Sequence, residues 1–138
     1  MTLDQQRITA DLATVAADTA SRKAALAADQ ANLITIRGQF GSQISGLMQT
    51  LRGDRAQLAT DRRSHADAST LQVDEAAIAA ELATISSTHG SENAALKTGR
   101  ATVASDTAKW NTVLRGDRAI LADDRRNLRI DKRNNAKT

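Results

Sequence analysis

The sequence predicts an all-α protein, a long antiparallel helical bundle of about three helices with heptad, coiled-coil-like packing. Three observations carry that expectation. There is no proline, and one Phe and one Trp are the only aromatic residues in 138. Alanine, the best helix former and small enough to let two backbones approach closely, fills 27 positions. Finally, the segment Leu51 to Arg63, LRGDRAQLATDRR, returns as Leu114 to Arg126, LRGDRAILADDRR, with eleven of thirteen residues identical at an offset of 63.

An offset of 63 is nine heptads, so a seven-residue hydrophobic register passes unbroken from one copy to the next. The chain therefore reads as one helical domain, 1–138. Repeat 1 spans about 2–64, repeat 2 about 65–127, and a basic C-terminal arm runs over 128–138. In the first copy Leu12, Leu26, Leu33, Phe40 and Leu47 lie on steps of seven, with Thr19 on one rung and Ile8 and Val15 on a second seam. In the second copy Leu82, Leu96, Val103 and Trp110 do the same, with His89 on a rung. Both ladders then shift by four residues, to Leu51 and Leu58 and to Leu114, Leu121 and Leu128. A strict period of seven implies left-handed supercoiling.

Turns are expected where glycine interrupts this pattern. Gly38 and Gly41 flank Phe40 ahead of Ser42, a candidate N-cap, and Gly90 stands between His89 and Ser91. Breaks there give three helices of about 35 to 45 residues with short connections that favour antiparallel neighbours. The alternative is one very long extended coiled coil of about 200 Å at 1.5 Å per residue. A reversal near Thr88 and His89 would set residues whose numbers add to about 177 opposite one another, laying the two motif copies side by side.

On a helical wheel centred on Leu58, Asp54 and Asp61 fall to one side and Arg55 and Arg62 to the other. Asp117, Arg118, Asp124 and Arg125 repeat the arrangement around Leu121. These eight charges are candidate register-setting residues, and Leu51, Leu58, Leu114, Leu121, Leu128 and Trp110 are candidate helix-packing residues. Oppositely charged flanks favour parallel contact, whereas an antiparallel hairpin opposes like flanks. One resolution is a hairpin packed through its Ala faces, such as Ala56 and Ala59, with the Leu stripes meeting parallel copies in other chains. Arg52-Gly53-Asp54 and Arg115-Gly116-Asp117 also spell an adhesion tripeptide, but they lie inside heptad ladders. There glycine serves a close crossing or a local break, or Asp54 and Asp117 cap new helices.

No reaction centre emerges. His65 and His89 are isolated, and Glu75, Glu81 and Glu92 are the only glutamates. No phosphate loop, nucleophile elbow or dinucleotide fingerprint occurs. With no cysteine there is no disulfide or thiolate site, and neither metal nor cofactor is expected. Net charge is +3, and from Leu114 onward eight Lys/Arg stand against four Asp. The acids mixed into that basic stretch favour a solvated helix face over a nucleic-acid surface. No apolar run is long enough for a transmembrane segment.

The expected partner is thus the protein itself. A non-enzymatic, structural, self-associating helical subunit of an oligomer or filament is the first expectation. A helical binding module or chaperone, or an intracellular coiled-coil scaffold, is the alternative. Compartment is open: either the protein is not secreted, or a leader was removed and Met1 stands in its place, in which case an extracellular or envelope location is favoured.

Overall fold

The computed structural model describes residues 2–136, and among them there are helices and no strands. Two helices account for nearly all of it: α1, Leu3–Arg63, and α2, Ala68–Asn135. They pack against each other, joined by one four-residue reversal.

Local chemistry explains each end. Thr2 and Gln5 form a capping box: the Gln5 amide donates to Thr2 Oγ1 at 3.3 Å and the Thr2 amide donates to Gln5 Oε1 at 2.7 Å. α1 closes with a Schellman pair, in which the Ala66 amide donates to the Asp61 carbonyl at 2.9 Å and the His65 amide to the Arg62 carbonyl at 3.3 Å. His65 takes the left-handed position of that motif, φ 54°, a place usually given to glycine. α2 then starts on Asp67, whose Oδ1 accepts from the Thr70 amide at 2.8 Å. Those hydrogen bonds hold the Asp67 carboxyl below its ordinary value.

This reversal corrects the expected turns. Gly38, Gly41 and Gly90 all lie inside helices and no glycine has positive φ, so the chain forms two helices and not three. A helical glycine costs about 1 kcal/mol relative to alanine. The half-buried rungs on either side, Ile36, Phe40 and Ile44 in α1 and Thr88 and Glu92 in α2, keep the pairing running through these positions. The reversal near residue 65 also means that residues adding to about 177 do not face one another.

The chain divides into two compact units. One comprises the chain up to Gln30 with the chain from Ala101, the other Ala31–Arg100, and each pairs a stretch of α1 with a stretch of α2. Leu114 and Leu121 are buried in the first, and Leu51, Leu58 and Leu96 in the second. In the second unit the helices also meet closely at Gly99, where an added Cβ would lie 2.6 Å from Leu33 Cδ2 and 3.7 Å from Ile36 Cδ1.

Candidate helix-packing interface

Burial follows steps of three and four. Along α1 the half-buried or buried positions include Asp4, Ile8, Asp11, Val15 and Asp18, and, further on, Leu47, Leu51, Asp54, Leu58 and Asp61. Along α2 they include Leu71, Asp74, Ile78, Glu81 and Ile85, and later Leu114, Asp117, Leu121, Asp124 and Leu128. The seam thus alternates aliphatic and acidic rungs. Leu12 and Leu82, rungs of the sequence ladder, are 46% and 45% exposed, because their neighbours Asp11 and Glu81 occupy the seam instead.

The acids meet each other. In the first unit Asp11 faces Asp124, Asp29 faces Asp106, Asp117 faces Asp18, and Asp131 faces Asp4. In the second, Asp74 faces Asp61 with Asp54 nearby. In each facing pair the residue numbers add to 135, as do those of Ile36 and Gly99. Subtracting or adding the 63-residue offset carries Asp11 and Asp124 onto Asp74 and Asp61, and Asp18 and Asp117 onto Glu81 and Asp54. The duplication has built the same pairing twice, once in each unit.

Burial, then the opposing carboxylate, lifts the carboxyls of Asp11, Asp29, Asp74 and Asp117 above their ordinary value. For Asp131 the opposing carboxyl of Asp4 is the larger cause of the rise and burial the smaller. One oxygen each of Asp11, Asp29, Asp74, Glu81 and Asp117 is shut off from solvent without a hydrogen-bond partner. No Arg or Lys among the described residues lies within 4.0 Å of these acids to offset the cost. Antiparallel pairing opposes like flanks, and here that opposition is realised inside a single chain.

The arginines of the motif lie off the seam. Arg55, Arg62, Arg118 and Arg125 are exposed, and Arg62 alone of the four forms an ion pair, at 2.9 Å with Glu75. Both partners are more than half exposed, so the pair contributes little. Asp54, Asp61, Asp117 and Asp124 sit in the seam, so neither Asp54 nor Asp117 caps a helix and both Arg-Gly-Asp tripeptides are helical. The proposed division of faces is also reversed. The Leu stripes are consumed within the chain, while Ala56 and Ala59 are exposed. Leu128 and Trp110 are half-buried, with Lys109 Nζ 5.5 Å from the indole centroid.

Outside the seam, Leu3, Leu12, Ile34, Met48, Val73, Leu82, Ile120 and Ile130 are exposed, Val73 by 68%. Many of the threonines turn their hydroxyls onto the backbone four residues back, as Thr9, Thr19, Thr60 and Thr88 do. No group of three or more His, Cys, Asp or Glu side chains placed to hold a metal ion occurs among the described residues, and no helix is long and apolar enough to cross a membrane. Of the basic C-terminal arm, Lys137 and Thr138 lie outside the described residues. No family model, curated protein or solved structure matches this chain.

Proposed function

We propose that the chain is a structural, non-enzymatic helical subunit that associates with copies of itself through coiled-coil-like helix packing, in an oligomer or filament. The observation that supports this most is the balance of its aliphatic side chains. Five leucines are buried, while eight large aliphatic residues are exposed on the outer surfaces of the helices. A two-helix pairing has no further layer to cover them, and a second pair of helices supplies one. The exposed alanines, Ala56 and Ala59 among them, let such a layer approach closely, and the outward arginines set which neighbour fits.

Mass in solution across a concentration series, with electron microscopy of the same samples, tests this reading. A defined multiple of 14.7 kDa or extended polymers is the expected result. A monodisperse species of 14.7 kDa at every concentration would overturn it.

The alternative, a helical binding module, draws on one feature: an open groove in the second unit lined by Ser42, Gln43, Gly46, Leu47, Thr50, Thr84 and Thr88. A monomer that holds unfolded clients and suppresses their aggregation would favour it over self-assembly.

A further inference from the structure

A second feature stands apart from helix pairing. In the unit formed by the chain up to Gln30 and the chain from Ala101, Arg22 of α1 and Asn111, Arg115 and Arg118 of α2 line one cleft of about 270 Å³ with Leu114. Asn111, Arg115 and Arg118 are spaced i, i+4, i+7, which sets them in one stripe along α2. Arg22 is half-buried on the seam itself, and its Nε is out of reach of solvent with no hydrogen-bond partner. None of the three guanidinium groups lies within 4.0 Å of a carboxylate among the described residues. The Asp18–Asp117 rung is one seam step away and forms no ion pair with them.

The duplication provides an internal comparison. At the 63-residue offset, Leu114, Arg115 and Arg118 correspond to Leu51, Arg52 and Arg55, so one leucine and two arginines are common to both units. Arg22 corresponds to Ile85 and Asn111 to Met48. On the seam itself one unit places the aliphatic Ile85 where the other places the cation of Arg22, and beside it the exposed Met48 is replaced by the exposed amide of Asn111. Helix packing gives no reason for that exchange, since a half-buried guanidinium with an unpaired N–H is a worse seam residue than isoleucine. An anion seated in the cleft that Arg22 lines together with Arg115 and Arg118 does. Three arginines and an amide lining one cleft, with no carboxylate oxygen among the described residues within 4.0 Å of the guanidinium nitrogens, match a compact oxyanion whose oxygens take several N–H bonds at once.

We propose that this cleft binds a phosphoryl oxyanion, held by Arg22, Arg115 and Arg118 with Asn111 as an additional donor. The shared chemistry is the phosphate group, whether free or carried on a lipid headgroup.

Thermal unfolding of the full chain in inorganic phosphate, against sodium chloride at equal ionic strength, tests the site. The midpoint should rise with phosphate beyond the chloride control. Arg22→Ile, which installs the residue found at the equivalent position of the other unit, should remain folded and weaken the apparent phosphate affinity at least about tenfold, by the loss of one of the three charge-assisted donors. Arg52→Gln, in the equivalent place of the other unit, should leave the phosphate shift unchanged.

A parallel arm measures co-sedimentation with phosphatidylcholine vesicles containing phosphatidic acid. Binding lost in Arg22→Ile assigns the phosphoryl group to a lipid, and a response to inorganic phosphate alone assigns it to a free anion. Equal phosphate and chloride midpoints with no vesicle binding would overturn the proposal, as would responses that Arg22→Ile leaves intact.

Discussion

Replacing Gly90 with alanine distinguishes the interior of a helix from a turn. Gly90 lies within α2 with ordinary helical φ, and a Cβ added there meets nothing within 4 Å. The substitution therefore adds no clash and removes only the conformational cost of glycine, so it should stabilise the protein by about 0.8 to 1.0 kcal/mol. For a chain of this size that corresponds to roughly 3 to 5 °C in the midpoint of thermal unfolding. Gly38, Gly53 and Gly116 are equally open, and each should respond in the same way. With no shared neighbours the four gains should add to about 3 to 4 kcal/mol. Chemical denaturation followed by far-UV circular dichroism measures this directly, provided the slope with denaturant is unchanged. Had the chain reversed at Gly38 or Gly90, alanine would be forced into a left-handed conformation and would destabilise by about 1 kcal/mol or more. A loss of stability in Gly90→Ala or Gly38→Ala would refute the two-helix reading.

Gly99 should behave differently from those four. Its added Cβ would lie 2.6 Å from Leu33 Cδ2, so in Gly99→Ala the displacement of Leu33 should cancel or outweigh the helix-propensity gain, leaving this variant less stable than Gly90→Ala by denaturant midpoint. Leu51 and Leu114, 2% and 4% exposed, anchor one unit each, and their replacement by alanine should cost about 2 to 5 kcal/mol apiece in the same assay. Stability should also rise on acidification. Asp11, Asp29, Asp74, Asp117 and Asp131 bind protons more tightly folded than unfolded, so their contribution is complete below the ordinary value of 3.8 and is lost as pH climbs through the raised folded values. Asp67 opposes them, its contribution being lost as pH falls. Thermal midpoints should therefore increase as pH falls through the raised folded values towards 3.8, and Asp61→Asn with Asp74→Asn should flatten the trend. A steady decline on acidification would contradict the paired acids.

The all-helical character is legible in composition alone, because without proline and with so much alanine nothing competes with the helix. The position of the reversal is not. Gly38, Gly41 and Gly90 carry the conventional punctuation, yet the chain turns at Ser64-His65-Ala66-Asp67, where there is neither glycine nor proline. The signal present there is Asp67 three residues before Thr70, an N-cap spacing, following Arg62 and Arg63 in the last turn of α1. A Schellman motif with histidine in the left-handed place is invisible to a search for glycine. The candidate interface divides in the same way. Leu51, Leu58, Leu114 and Leu121 can be read from the sequence as a stripe, but which surface the stripe meets depends on where the chain turns. Asp residues at seam positions also run against the hydrophobic pattern on which such a search relies. Arg22 carries no motif of its own. What could have found it is the comparison with Ile85 across the 63-residue offset.

Cysteine cross-linking tests the register of the helix pair most directly, since the chain contains no cysteine of its own. In Asp61→Cys with Asp74→Cys the two thiols replace carboxyls that face each other across the helix pair. Mild oxidation at low protein concentration should yield an intramolecular disulfide with retained helicity and a mass of one chain. Asp61→Cys with Gly116→Cys, the pair a reversal near His89 would bring together, should stay reduced under the same conditions. Rapid closure of the second pair and none of the first would contradict the antiparallel two-helix pairing on which the account rests.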